Sequence, residues 1–151
     1  MITTIIILLV AFQVKHFVAD YPLQTKYMLG KFKDSGWEKP LLAHAAVHAV
    51  ITFVILLGFY AIVDPNNTHW RMNCFLLPIW DGACHFAMDR IKASRKFLGR
   101  FKPLTAETYL AATPKQVRGN TFFWWSIGFD QFVHHMTHYA IIYWLVSTIV
   151  K

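Results

Sequence analysis

Residues 41–63 read LLAHAAVHAVITFVILLGFYAIV, a run without a single Lys, Arg, Asp or Glu. A helix needs about 20 apolar residues to cross the hydrocarbon core of a bilayer. The run also follows Pro40, a residue suited to the first turn of a helix. It reads as a transmembrane span. Inside it sit His44 and His48, four residues apart and therefore on one helical face.

The rest of the chain has the same character. Of 151 residues, 56% are hydrophobic and only 15% are charged, against about 25% charged in ordinary soluble domains. An all-α, polytopic membrane four-helix bundle is expected, one domain over 1–151, with spans at about 2–21, 41–63, 72–90 and 121–150. Pro22 ends the first span, and Asn120 is a suitable N-cap for the last. The N-terminal run MITTIIILLVAFQV has no basic leader and no small-residue cleavage site after it, so it is read as a retained span. Cys74 and Cys84 have no CxxC spacing, which points to neither a disulfide framework nor a thiolate metal site.

The formal charge of +7 suits anionic lipid headgroups more than nucleic acid, because the cations gather in two loops. Loop 22–40 holds four lysines, and loop 91–120 with Arg90 holds eight Lys and Arg, whereas DPNNTHWR between them holds one Arg. The positive-inside rule puts both basic loops in the cytoplasm and both termini outside it, as in a multi-pass protein of the bacterial inner membrane. Residues 97–118 read equally well as a surface helix or as a lid.

Every span carries His or Asp four residues apart: His16 and Asp20; His44 and His48; Asp81, His85 and Asp89; Asp130, His134 and His138. With this topology the pairs share one depth, near the inner leaflet. Ionisable groups in a membrane face the interior of the protein and meet partners there. Imidazoles and carboxylates together are the ligand set of Zn²⁺, with Mn²⁺ or Fe²⁺ as alternatives. Four-helix bundles build two-metal sites by this kind of inward projection, so an intramembrane site with two or more ions is expected. Its ligands are His16, Asp20, His44, His48, His85, Asp89, Asp130 and His134. His138 and Asp81 lie a turn deeper, His138 grouped with the ligands and Asp81 a candidate general base. Gln13 is a candidate orienting group, while His69 and His135 fall outside the pattern. Arg90, Lys92, Arg95 and Lys96 follow Asp89 and are expected to hold a phosphate.

The stretches KHFVADYPLQTKYMLGKF, PLLAHAAVHAVIT, HFAMDRIKASRKFLGRFKPLT and GFDQFVHHMTHY resemble the bacterial and phage membrane family catalogued as domain of unknown function 3307. That resemblance covers essentially the whole chain and implies no activity. More distantly, the His/Asp clusters look like those of membrane-bound metal-dependent hydrolases and of zinc-dependent phospholipases C. The expected function is metal-dependent hydrolysis of a phosphoester or phosphoanhydride in a lipid or lipid-linked substrate, with metal-activated water as nucleophile. The alternatives are a metal- or proton-linked channel or transporter, and a small interaction protein that the metal merely stabilises. A di-iron oxidase fits less well, because such bundles lean on Glu and no span contains one.

Overall fold

The computed structural model describes residues 1–94, 96–101 and 113–149. Its elements are α1 (Ile2–Asp20), a 3-10 turn (Met28–Phe32), α2 (Glu38–Ile62), α3 (Trp70–Ala93), a second 3-10 turn (Leu98–Phe101), α4 (Pro114–Arg118) and α5 (Thr121–Ile149). No strand occurs among the described residues. The chain is all-helical, as the apolar runs lead one to expect. Two of the helices, α1 and α2, are long and apolar enough to cross a membrane.

Local chemistry explains the boundaries. α1 stops at Asp20, just before Pro22, which has no N–H to continue the helical ladder. α2 starts at Glu38 and takes Pro40 into its first turn, where a missing N–H costs nothing. Asn120 caps α5, its side-chain oxygen accepting from the Phe123 amide at 3.1 Å. Pro78 lies inside α3 without ending it.

α1 packs on α2 and α5, and α3 packs on α2 and α5, so each long helix has two neighbours. The closest approach is between α2 and α3. A Cβ at Gly82 would lie 3.2 Å from Ala49 Cβ and 3.3 Å from the Ala45 carbonyl oxygen, so a glycine there lets the two backbones meet.

The interior has two tiers. One is apolar, built from residues such as Leu8, Phe12, Leu56, Phe59, Ile141 and Leu145. The other is polar and holds the histidines and aspartates. The outer faces invert the pattern of a soluble protein. Val10 and Phe17 on α1, Val50 and Val54 on α2, Phe75 and Trp80 on α3, and Phe132 and Tyr143 on α5 are all exposed. Soluble monomers rarely expose apolar surface on this scale.

Candidate metal centre

On three helices the inward residues recur every fourth position: His44, His48 and Thr52 on α2; Asp81, His85 and Asp89 on α3; Asp130, His134 and His138 on α5. All of these are buried. A four-residue step overshoots one helical turn by only about 40°, so three such residues stay on one side. α1 contributes Lys15 and His16, both buried, and the less covered Asp20.

These side chains form one cluster containing three trios of metal-ligand atoms. They are Asp20, His44 and His48; His16, His85 and His138; and Asp89, Asp130 and His134, with the ligand atoms of each trio within 4.8 Å of one another. The trios adjoin. The His85 ring lies 3.7 Å from His48 and 4.0 Å from His134, centre to centre. His16 lies 5.3–5.7 Å from His48, His85, His134 and His138.

Two observations test whether an ion fits. The first is spacing. Asp20 Oδ1 is 3.1 Å from His48 Nε2 and 3.3 Å from His44 Nε2, and Asp20 Oδ2 is 3.1 Å from His16 Nε2. Ligands about 2.1 Å from a tetrahedral zinc are separated by about 3.4 Å, so these gaps suit shared coordination. The second is unmet hydrogen bonding. Each of the six imidazoles has one buried ring nitrogen without a hydrogen-bond partner: Nδ1 of His16, His44, His48, His134 and His138, and Nε2 of His85. Buried polar atoms are nearly always satisfied, and six orphans in one cluster need an explanation. His85 gives its Nδ1 proton to the Asp81 carbonyl at 2.8 Å, His138 Nε2 accepts from Lys15 at 3.1 Å, and His16 Nε2 lies 2.8 Å from Gln131 Oε1. His85 therefore presents a lone pair on Nε2, the form that binds metal, whereas the orphaned Nδ1 of His138 carries the proton. The donor set fits a divalent cation.

Three lysines also enter the cluster. Lys15 donates to Asp81 at 2.6 Å, alongside the Thr52 hydroxyl at 2.6 Å. Lys31, carried on the Met28–Phe32 turn, donates to Asp89 at 2.6 Å. Lys92 bridges Asp89 and Asp130 at 2.7 Å to each. Burial pushes the Lys31 ammonium below the ordinary lysine range, with Asp89 pulling the other way. Asp20 differs from the other three carboxylates. Only imidazoles form its ion-pair contacts among the described residues, and its side chain is 17% exposed while the others are 0–2%.

The chain matches the family model described as protein of unknown function (DUF3307) over residues 7–151. It belongs to the DUF3307 family. No curated protein and no solved structure matches it.

In this DUF3307 chain all nine expected ligands fall within the three trios. The described members of the expected phosphate-binding group have different surroundings. Arg90 stacks over the Trp37 ring at 3.8 Å, Lys92 is turned inward, and Lys96 is exposed. Arg95 lies outside the described residues, as does most of the 97–118 segment. Asp81 is held by Lys15 and Thr52, with His85 Nδ1 at 3.3 Å and His138 Nε2 at 3.4 Å. A carboxylate fixed by an ammonium and a hydroxyl is suited to positioning imidazoles more than to taking up a proton. Gln13 pairs with His135 at 3.1 Å, beside the cluster. His69 is at the start of α3, away from it.

Lys15 and Lys31 are buried members of the cluster that the DUF3307 sequence did not yield. Lys15 left a signal, since a lysine inside an apolar span requires a partner. Lys31 left none, because its approach to Asp89 depends on how the loop folds back.

Proposed function

We propose that the protein is a multi-pass inner-membrane protein whose four long helices form a bundle around a divalent-metal site. We propose further that this site hydrolyses a phosphoester or phosphoanhydride of a lipid or lipid-linked substrate. The convergence of the Nε2 atoms of His16, His44 and His48 on Asp20, at 3.1–3.3 Å, carries this reading. The exposed apolar faces of all four helices support the membrane assignment.

Charge favours one position for the ion. Asp81, Asp89 and Asp130 already face ammonium groups, and a cation added beside them would meet Lys15, Lys31 or Lys92 at close range. Asp20 has only neutral donors in contact. With neutral histidines the cluster has four carboxylates against three ammonium groups, one negative charge in excess. A single divalent ion reverses that to one positive charge, which an anionic oxygen of the substrate then balances. We therefore seat one tightly held ion, zinc by its donor set, on Asp20, His44 and His48 with His16 alongside. Further ions at the other trios require the lysines to release their carboxylates.

When bound, such an ion activates water near neutral pH and polarises a phosphoryl oxygen. The protein's own groups do the rest. Asp81 and Asp130 orient His85, His138 and His134, and Lys92 fixes α3 against α5. Asp20, the most exposed carboxylate, marks the edge at which substrate enters. The apolar tier of Leu8, Phe12, Leu56 and Leu145 closes the other end, which weighs against a pathway through the membrane.

The test is hydrolysis by the full-length protein in mixed micelles, against a panel of phosphatidic acid, lipid pyrophosphates and water-soluble phosphoesters. Release of phosphate from a lipid substrate is expected to stop on chelation and return with zinc. Full metal loading with no cleavage of any member would overturn the hydrolase reading.

A further inference from the structure

Of the described cations expected to take a phosphate, Arg90 lies over Trp37 and Lys92 pairs with Asp89 and Asp130, which raises the question of where unpaired ones gather. They gather in loop 22–40. Lys26, Lys33 and Lys39 line one concavity of about 540 Å³, together with Tyr27, Gly30 and Pro40. Pockets for small ligands run from about 300 to 1,000 Å³. All three lysines are exposed, and none forms an ion pair among the described residues. Three lysines line this pocket and no carboxylate does, so the lining suits an anion.

We infer that this groove binds the phosphate of an anionic phospholipid headgroup. Three features point to a lipid over a free ion. Tyr27 and Leu29 are exposed at the groove, and Tyr21 and Leu23 are exposed earlier in the same loop. That combination of aromatic, aliphatic and basic side chains suits the boundary between acyl chains and headgroups. The groove also reaches the first turn of α2, where Trp37 provides no side-chain cap, so the positive end of that helix dipole adds to the lysines. Finally, its wall is the Met28–Phe32 turn, the element that delivers Lys31 to Asp89. A headgroup held there is bound by the element that also reaches the metal cluster.

This inference rests on the membrane reading above but not on the metal chemistry, so the two fail separately. The experiment is native mass spectrometry of the full chain in micelles, titrated with dioctanoyl phosphatidic acid, dioctanoyl phosphatidylcholine and inorganic phosphate. The wild type is expected to bind phosphatidic acid about tenfold or more tighter than phosphatidylcholine, a difference of about 1.4 kcal/mol. Inorganic phosphate is expected not to displace it. The combined Lys26→Gln, Lys33→Gln, Lys39→Gln variant is expected to lose that preference while Lys115→Gln keeps it, with helical content and metal content unchanged in both. Should the triple variant misfold, Lys33→Gln and Lys39→Gln are expected singly to weaken binding in the same direction. Unchanged binding in the Lys26, Lys33 and Lys39 variants, equal binding of phosphatidylcholine, or displacement by inorganic phosphate would each overturn the inference.

Discussion

Asp81→Ala is expected to destabilise the protein by about 3–5 kcal/mol, the usual effect of removing one partner from a buried ion pair. Lys15 and Asp81 have fully covered side chains 2.6 Å apart. Removing the carboxylate strands the ammonium, whose other hydrogen-bond contact among the described residues is His138 Nε2, at 3.1 Å. Thr52 loses its acceptor in the same step. The double variant Lys15→Met, Asp81→Leu removes both charges and is expected to recover most of the loss, because replacing a whole buried pair by apolar groups is often close to neutral. Unfolding of the purified protein in mixed micelles, followed by circular dichroism, reads both. An Asp81→Ala protein as stable as the wild type would show that Lys15 does not depend on this carboxylate.

The second large effect concerns Asp20. Asp20→Asn is expected to lower metal affinity by more than the ten- to hundredfold typical of residues that merely support a ligand. Phosphoester hydrolysis is expected to fall with it. Asn keeps the size and one oxygen but removes the charge that His16, His44 and His48 surround. Asp130→Asn supplies the contrast. Lys92 still has Asp89 at 2.7 Å in that variant, so the ion is expected to stay. Metal analysis after dialysis against buffered zinc, paired with hydrolysis rates, separates the two. Retention in Asp20→Asn with loss in Asp130→Asn would move the ion to the Asp89, Asp130 and His134 trio.

Helix positions were legible because apolar runs and proline punctuation act locally. α2 follows from its lack of charge and from Pro40, and α5 from Asn120. The inward histidines and aspartates were legible for a geometric reason: a spacing of four keeps side chains on one helical face whatever the tertiary structure. The basic residues after Asp89 were less so, and the helix explains why. Arg90 is one step on, about 100° around the axis, and reaches Trp37 instead of the cluster. Lys92 is three steps on, back on the face of Asp89, and pairs with it at 2.7 Å. The same spacing rule applied to lysine as well as to His and Asp would have found it. Lys15 was missed because ligand types alone were counted, and that omission altered the charge balance. Counting ligands suggested two or more ions, whereas counting the ammonium groups as well favours one. Lys31 and the Lys26, Lys33, Lys39 groove depend on a loop folding back beneath α2, which no local pattern encodes.

The account stands on a cation within the buried cluster. The most direct measurement is elemental analysis of the full-length wild-type protein, with X-ray absorption at the edge of whatever metal is found. One divalent ion per chain, bound by nitrogen and oxygen without sulfur, is the expected result, and its removal by a chelator should lower thermal stability through loss of a ligand that binds only the folded state. A folded, fully helical protein that contains no metal, takes up none from buffered zinc, manganese or iron, and is indifferent to chelators would contradict it.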